Sequence, residues 1–217
     1  MAVITIARQF GAGGRTLGSR LAKALNYRFL DDVVIKELAR RINVTNEAVE
    51  DVEKIAGGFF SKVVSSMLSR SYMERLTGED FGYIDEVIYL KALKEVIVDL
   101  AKKDNVVLLG RGGQYVLADH PNALHILLVG QRKNREDFMR DNYKLTPEQA
   151  EQAVSDGEKR RRQIYSLFGK TDYNDALLYH AVFNTSRLTL DQALEQTVQL
   201  VRQSEKVANL REVSGVA

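Results

Sequence analysis

The sequence predicts an α/β protein built on a parallel sheet. Short apolar segments alternate with stretches of helical periodicity along the chain, as expected for strands joined by helical crossovers. Most of these segments contain few polar residues, which is typical of strands buried on both faces. The first segment leads through a glycine-rich turn directly into a helix.

Length and composition agree with one α/β domain over residues 1–217. Cysteine is absent, which excludes disulfides and cysteine-based metal sites. Strand-like residues begin at position 2, and no apolar run approaches the roughly 18 residues that span a bilayer. We therefore expect a cytoplasmic protein without a membrane partner. The net charge of +2 does not by itself indicate nucleic-acid binding.

The first predicted strand, 3–6, is followed by the turn 11–14 and by a helix with Leu17, Leu21 and Leu25 on one face. A glycine-rich turn before a helix exposes backbone N–H groups at the positive end of the helix dipole, which favours phosphate binding. An ordinary tight connection between a strand and a helix is the alternative.

The turn matches a P-loop imperfectly. Thr16 stands where a P-loop has the hydroxyl that binds the metal, and Gly14 takes the second glycine position. In this register Arg15 replaces the usual lysine and Gln9 replaces the first glycine. Arg15 or Arg8 would therefore supply the cation, which arginine can do because it stays charged and contacts two phosphate oxygens.

The second predicted strand, 28–30, ends in Asp31 and Asp32. Ligands bind at the carboxyl edge of open parallel sheets, so both aspartates are candidate site residues. We also expect one of them to cap the helix predicted at 33–41.

Residues 43–83 are less regular and predict a small helical insert, because apolar residues recur at helical spacing between 59 and 76. Packing is the simpler interpretation of this stripe. The alternatives are a flap that moves over the site and a surface that pairs with a second subunit to form a homodimer.

A third strand, 105–109, follows a helix at 84–103 and ends in a glycine-rich turn that contains Arg111. An arginine in such a turn after a buried strand favours contact with an anion over a purely solvated role.

The fourth strand, 123–130, precedes a helix at 132–142 and a second helix whose start, 146–149, has the sequence of a capping box. That helix leads into the basic run 159–162. Consecutive helical residues point about 100° apart, so we expect one or two of these cations to face a nucleotide and the others to be solvated.

The last predicted strand, 181–185, leads to a helix capped by Thr189, with Gln192 three residues later. We expect a frayed tail from about residue 206.

Four motifs, taken together, resemble the cytidylate kinase-like family, a branch of the P-loop nucleoside monophosphate kinases. The resemblance covers roughly residues 2–200. The motifs are Arg8-Gln9-Phe10-Gly11-Ala12-Gly13-Gly14-Arg15, Tyr27-x-Phe29-x-Asp31, Asn105-Val106-Val107 with Gly110-Arg111-Gly112, and Asn184-Thr185-Ser186-Arg187-Leu188.

This resemblance implies a P-loop NTPase-type parallel five-stranded sheet flanked by helices. It also implies a helical NMP-binding insert at about 43–83 and an arginine-bearing lid at about 131–170. The implied reaction is transfer of a phosphoryl group from ATP to CMP or dCMP, with magnesium. The partners are then small-molecule nucleotides.

Carried over by position, the resemblance assigns roles to individual residues, and no side chain acts as the nucleophile. Arg15, Arg111 and Arg160 would be catalytic, while Asp31, Arg111 and Arg135 would bind the acceptor. The ATP phosphates would be held by Gly11, Ala12, Gly13, Gly14, Arg15 and Thr16, and Thr16 would also approach Mg²⁺.

Two other functions remain as alternatives. The missing lysine and the apolar insert favour a nucleotide-binding sensor or regulatory protein without transferase activity. The basic run 159–162 suggests an RNA-contacting protein, but the small net charge and the lack of an aromatic RNA motif argue against it.

Overall fold

Five parallel strands form one sheet, in the order β2-β3-β1-β4-β5, in the part of the chain that the structure describes. The structure is a computed structural model that describes residues 2–42, 46, 86–103, 105–170, 172 and 174–214. The strands are β1 (Val3–Arg8), β2 (Arg28–Leu30), β3 (Val106–Leu109), β4 (Ala123–Val129) and β5 (Ala181–Asn184). The predicted five-stranded parallel sheet is confirmed.

Helices connect the strands and cover both faces of the sheet. Those in the described residues are α1 (Gly14–Leu25), α2 (Asp32–Ile42), α3 (Glu86–Ala101), α4 (Gly113–Val116), α5 (Arg132–Tyr143), α6 (Pro147–Leu167) and α7 (Leu190–Ser214), with a 3₁₀ turn at Ala176–Leu178. The predicted insert at 43–83 and the predicted dimer contact at 59–76 lie outside the described residues.

The core has two layers because each face of the sheet buries a different set of helices. On one face, α2 and α3 pack on Val3, Val106 and Leu108. On the other face, α1 and α7 pack on Ile4 and Ile6 and on neighbouring strand residues. Side chains alternate between the faces of a strand, so β1 contributes apolar residues to both layers.

Strand β1 extends two residues beyond its predicted end. Ala7 and Arg8 stay in the sheet because they pair with Leu127 and Leu128 of β4. Arg8 therefore lies on a strand at the carboxyl edge of the sheet, directly before the glycine-rich turn.

Helix α6 begins as predicted. The Thr146 hydroxyl accepts a hydrogen bond from the Gln149 backbone N–H at 3.2 Å, and the Gln149 side chain accepts one from the Thr146 N–H at 2.9 Å. This reciprocal capping box, with Pro147 in the first turn, fixes where the helix starts.

Helix α7 continues to Ser214, beyond residue 206, where the sequence analysis expects a frayed tail to begin. No glycine or proline interrupts the sequence between Leu190 and Ser214, so nothing in it ends the helix earlier. In the described part of the chain, no helix combines the length and the apolar character that crossing a membrane requires.

Candidate functional site

The glycine-rich turn between β1 and α1 forms a cradle of backbone that lines a cavity. Gly11 and Gly13 have φ angles of 83° and 82°, in the left-handed region that side chains disfavour. Gly13 is also the N-cap of α1, and the first turn of that helix carries no acidic side chain. The positive end of the helix dipole is therefore left for an external anion.

Gln9, which stands at the first glycine position of a P-loop, ties this turn to β4. Its side-chain oxygen accepts a hydrogen bond from the Gly130 N–H at 2.9 Å, and its backbone oxygen accepts one from the Ala12 N–H at 3.1 Å. The departure from the motif thus has a structural role. The sequence showed only the mismatch, because the partner at Gly130 is 121 positions away along the chain.

A cavity of about 290 Å³, here called the glycine-loop cavity, opens above the cradle. Backbone amides, a cation and a hydroxyl together suit a polyphosphate. The lining of the glycine-loop cavity includes Arg8, Phe10, Gly11, Gly13, Gly14, Arg15, Thr16, Asp31 and Asp32. Ala12, also predicted to hold phosphate, is instead buried at 2% exposure in the core.

Asp31 connects the cradle to the end of β3. Arg15 Nε lies 3.1 Å from its Oδ2, and Arg15 Nη2 lies 3.1 Å from Oδ2 of Asp32. From the other side, Arg111 Nη1 donates to the Asp31 backbone oxygen at 3.0 Å and lies 3.5 Å from its Oδ1. Three predicted site residues, Arg15, Asp31 and Arg111, therefore meet in one network.

The backbone of Arg111 is strained. Its φ of 52° lies in the left-handed region, between two glycines of similar conformation. That conformation costs a residue with a side chain roughly 1–2 kcal/mol. Such strain is found where function fixes the position of a side chain, and here it accompanies a largely buried guanidinium at the carboxyl edge of the sheet.

A second cavity of about 180 Å³, here called the arginine cavity, adjoins the first. Four guanidinium groups and two aromatic rings surround it, and this combination suits a small anion with an apolar or aromatic part. The two cavities share Arg8 and Phe10. The lining of the arginine cavity includes Arg8, Phe10, Arg111, Arg160, Arg161 and Tyr165.

The basic run 159–162 divides between a cavity and the solvent. Arg160 and Arg161 line the arginine cavity, whereas Lys159 and Arg162 are exposed. Arg161 is 8% exposed, donates to Asn174 Oδ1 at 2.9 Å and lies over the Tyr165 ring. Arg160 remains exposed at the rim of the cavity.

Arg135, predicted to bind the acceptor, lines neither cavity as the described residues form them. It supports the glycine-rich turn from behind, donating at 2.9 Å to the backbone oxygens of Gly130 and Phe10. Its Nη1 also pairs with Glu158 Oε1 at 3.2 Å. Burial lowers the pKa of Arg135, and the neighbouring Glu158 carboxylate opposes that shift.

Glu158 connects α6 to the cradle, a contact that the sequence analysis missed. Its Oε1 accepts a hydrogen bond from the Phe10 backbone N–H at 2.5 Å in addition to the pair with Arg135. Helix α6 is thus docked directly on the glycine-rich turn. The sequence shows only an acidic residue directly before the basic run 159–162, and that signal does not reveal a partner 148 positions earlier.

The site contains donors that suit Mg²⁺ bound together with a polyphosphate. The Thr16 hydroxyl and the carboxylates of Asp31 and Asp32 line the glycine-loop cavity. Magnesium prefers oxygen ligands and commonly completes its shell with phosphate oxygens and water. Among the described residues, no group of three or more His, Cys, Asp or Glu side chains is placed to hold a metal.

Several solved structures align with nearly the whole chain. An uncharacterized protein from Eubacterium ventriosum ATCC 27560 has a TM-score of 0.65 and 15% identity, covering 93% of this chain and 98% of its own. A shikimate kinase from Acinetobacter baumannii in complex with shikimate has a TM-score of 0.49 and 17% identity, covering 94% of each chain. A gluconokinase from Sinorhizobium meliloti 1021 also has a TM-score of 0.49, with 13% identity and coverage of 96% and 97%.

No curated protein matches this chain. The model of the cytidylate kinase-like family matches residues 3–187, which include all five strands, the glycine-rich turn and both cavities. The chain therefore belongs to the cytidylate kinase-like family.

Proposed function

We propose that this chain is a nucleoside monophosphate kinase that transfers the γ-phosphoryl group of ATP to CMP or dCMP. The observation that carries the proposal is the junction of two cavities at Arg8 and Phe10. One cavity has the amides and hydroxyl that suit a polyphosphate, and the other has the guanidinium groups that suit a phosphate monoester.

On the donor side, the amides around Gly11 and Gly13 and the start of α1 would hold the polyphosphate of ATP. Magnesium, held with that polyphosphate through the Thr16 hydroxyl, would neutralise part of the phosphate charge. Arg15 would keep Asp31 and Asp32 in place through its two ion pairs.

On the acceptor side, Arg111 and Arg160 would bind the phosphate of the nucleoside monophosphate. Asp31 fixes Arg111 from the cradle, so the two parts of the site are aligned by one carboxylate. Alignment of this kind turns an encounter of two substrates into a reaction within one complex.

The chemistry needs no protein nucleophile. An oxygen of the acceptor phosphate would attack the γ-phosphorus, and the bond from that phosphorus to the β-phosphate oxygen would break. The electron pair would leave with ADP. The protein would contribute alignment, exclusion of water by α5 and α6, and positive charge around the transferred group.

The choice of cytosine as the base is supported by family membership. An ADP-release assay with saturating Mg–ATP and a panel of CMP, dCMP, UMP and AMP tests it. We expect turnover with CMP or dCMP well above the hydrolysis measured without acceptor. Absence of turnover with all four nucleotides would contradict the kinase proposal, and turnover with UMP or AMP alone would contradict the cytosine preference.

A nucleotide-binding sensor without transferase activity is the second candidate. It is favoured by Arg15, which stands at the lysine position but is already paired with two carboxylates. This candidate predicts that ATP raises the melting temperature of the protein while no acceptor is phosphorylated.

A further inference from the structure

Arg8 reaches the site through a passage that two glycines keep open. A Cβ atom at Gly14 would lie 2.7 Å from Arg8 Cγ, and one at Gly110 would overlap Arg8 Nη1. These glycines belong to different turns, one after β1 and one after β3. The side chain of Arg8 is therefore held between the two turns, and any larger residue at either position would displace it.

This passage places Arg8 on the boundary between the two cavities. Of the arginines in the described part of the chain, Arg8 alone lines both the glycine-loop cavity and the arginine cavity. A phosphoryl group that passes from a donor in the first to an acceptor in the second has to cross this boundary.

Arg8 also differs from Arg15 in the contacts of its guanidinium group. Arg15 pairs with Asp31 and Asp32, and its side chain is 58% exposed. Within the residues that the structure describes, the Arg8 guanidinium makes neither a hydrogen bond nor an ion pair. A partly buried cation without a carboxylate partner is unfavourable unless an anion joins it.

The charges around Arg8 strengthen this conclusion. Burial lowers the pKa of its guanidinium, Tyr165 and Asp31 oppose that shift, and Arg111 and Arg161 add to it. An arginine nevertheless stays protonated near neutral pH. Neighbouring guanidinium groups therefore leave a concentration of positive charge that a phosphate would neutralise.

We propose that Arg8, rather than Arg15, takes the place of the missing P-loop lysine, and that its guanidinium contacts both the γ-phosphate of the donor and the phosphate of the acceptor. Arg15 is then a positioning residue that holds Asp31. The inference rests on the proposed kinase function. It adds no proton transfer, because Arg8 stays charged while the acceptor oxygen bonds to the γ-phosphorus and the electron pair leaves with ADP.

Two measurements test this assignment in Arg8→Gln, Arg15→Gln and Arg140→Gln, the last being a surface control on α5. Calorimetry without acceptor compares the affinity for ATP with that for ADP, which lacks the γ-phosphate. We expect Arg8→Gln to reduce the preference for ATP by about tenfold or more, as for the loss of a charge-assisted hydrogen bond. Arg15→Gln should change that preference less than about threefold, and Arg140→Gln should not change it.

The second measurement is kcat with the best acceptor. We expect Arg8→Gln to lower kcat by roughly 10²–10³-fold, the range for removal of one preorganised donor. Arg8→Lys keeps the charge but places all its donors on one nitrogen, which cannot bridge two phosphates as a planar guanidinium with separate nitrogens can, so its kcat should fall at least about tenfold. This variant also decides the matter if Arg8→Gln does not fold.

The results separate the two proposals. If the wild-type protein phosphorylates no acceptor, the kinase proposal fails, while the ATP and ADP affinities still test Arg8. If turnover is normal but Arg8→Gln weakens ATP and ADP equally, the Arg8 assignment is overturned. The same holds if Arg15→Gln alone loses the preference for ATP, or if Arg8→Lys keeps wild-type kcat.

Discussion

At the scale of single residues, the arginines of the site fall into two groups, according to whether their guanidinium groups already have hydrogen-bond or ion-pair partners. Arg15 and Arg135 are engaged by carboxylates, and Arg161 donates to Asn174. Arg8 and Arg160 make no hydrogen bond or ion pair with any residue that the structure describes. A phosphate that enters the arginine cavity would therefore find two guanidinium groups available without breaking an existing pair.

Gln9 gives a prediction at the same scale, because the residue that the motif favours should be worse here. Gln9→Gly restores the first P-loop glycine but removes the acceptor of the Gly130 N–H, a partly buried hydrogen bond of 2.9 Å. We expect the free energy of unfolding to fall by about 1–2 kcal/mol, from the lost bond and the added backbone entropy. Urea unfolding measures this change.

Gln9→Glu is the matched control, since a carboxylate oxygen can still accept from Gly130. It should destabilise less than Gln9→Gly. An unfolding midpoint for Gln9→Gly at or above that of the wild-type protein would contradict the role assigned to Gln9.

At the scale of elements, the pairing of β1 with β4 buries a histidine. His125 is 4% exposed, its Nδ1 is hydrogen-bonded with the Thr5 hydroxyl at 2.7 Å, and its backbone N–H donates to Nδ1 of His180 at 3.0 Å. Burial, followed by the nearby His180, lowers the pKa of His125 to about 4. The sequence around His125 did not indicate this burial, because it results from contact with Thr5, which lies 120 positions away along the chain.

This shift predicts acid sensitivity. An unfolded histidine has a pKa of about 6.5, so below that pH the unfolded chain binds a proton that the folded chain does not. The free energy of unfolding should have its full value above pH 6.5 and should fall as the pH drops towards 4, by on the order of 3 kcal/mol in total. Urea unfolding at several pH values measures the slope.

His125→Gln should remove most of that slope between pH 6.5 and 4, whereas His120→Gln, in the half-buried turn before β4, should keep most of it. An unchanged slope in His125→Gln would show that the acid sensitivity comes from another group.

Helices and strands were predictable where the residues next to one another in the sequence determine where the element begins or ends. β2 and the start of α6 follow the sequence closely, because a short apolar strand and a capping box are read from neighbouring residues. The end of β1 was not predictable, since Arg8 is held in the sheet by pairing with Leu128 of β4. The length of α7, which continues to Ser214, agrees with the lack of glycine and proline after Leu190.

At the scale of the whole molecule, parallel topology explains which part of the site could be predicted. β1, β2 and β3 end at one edge of the sheet, which brings together Gly11, Asp31 and Arg111. The orientation of Arg135 towards the back of the turn could not be predicted, because it depends on carbonyls exposed only in the folded turn. The role of Arg8 depends in the same way on two glycines from separate turns.

On the proposed function, the two cavities form one site in which the donor and acceptor phosphates meet. A crystal structure with a bisubstrate mimic, adenosine joined to cytidine through a polyphosphate chain, tests it most directly. We predict that the chain runs from the amides of Gly11 and Gly13, past Arg8, to Arg111 and Arg160. A mimic bound with its polyphosphate outside the glycine-loop cavity, or with no phosphate in the arginine cavity, would contradict the account.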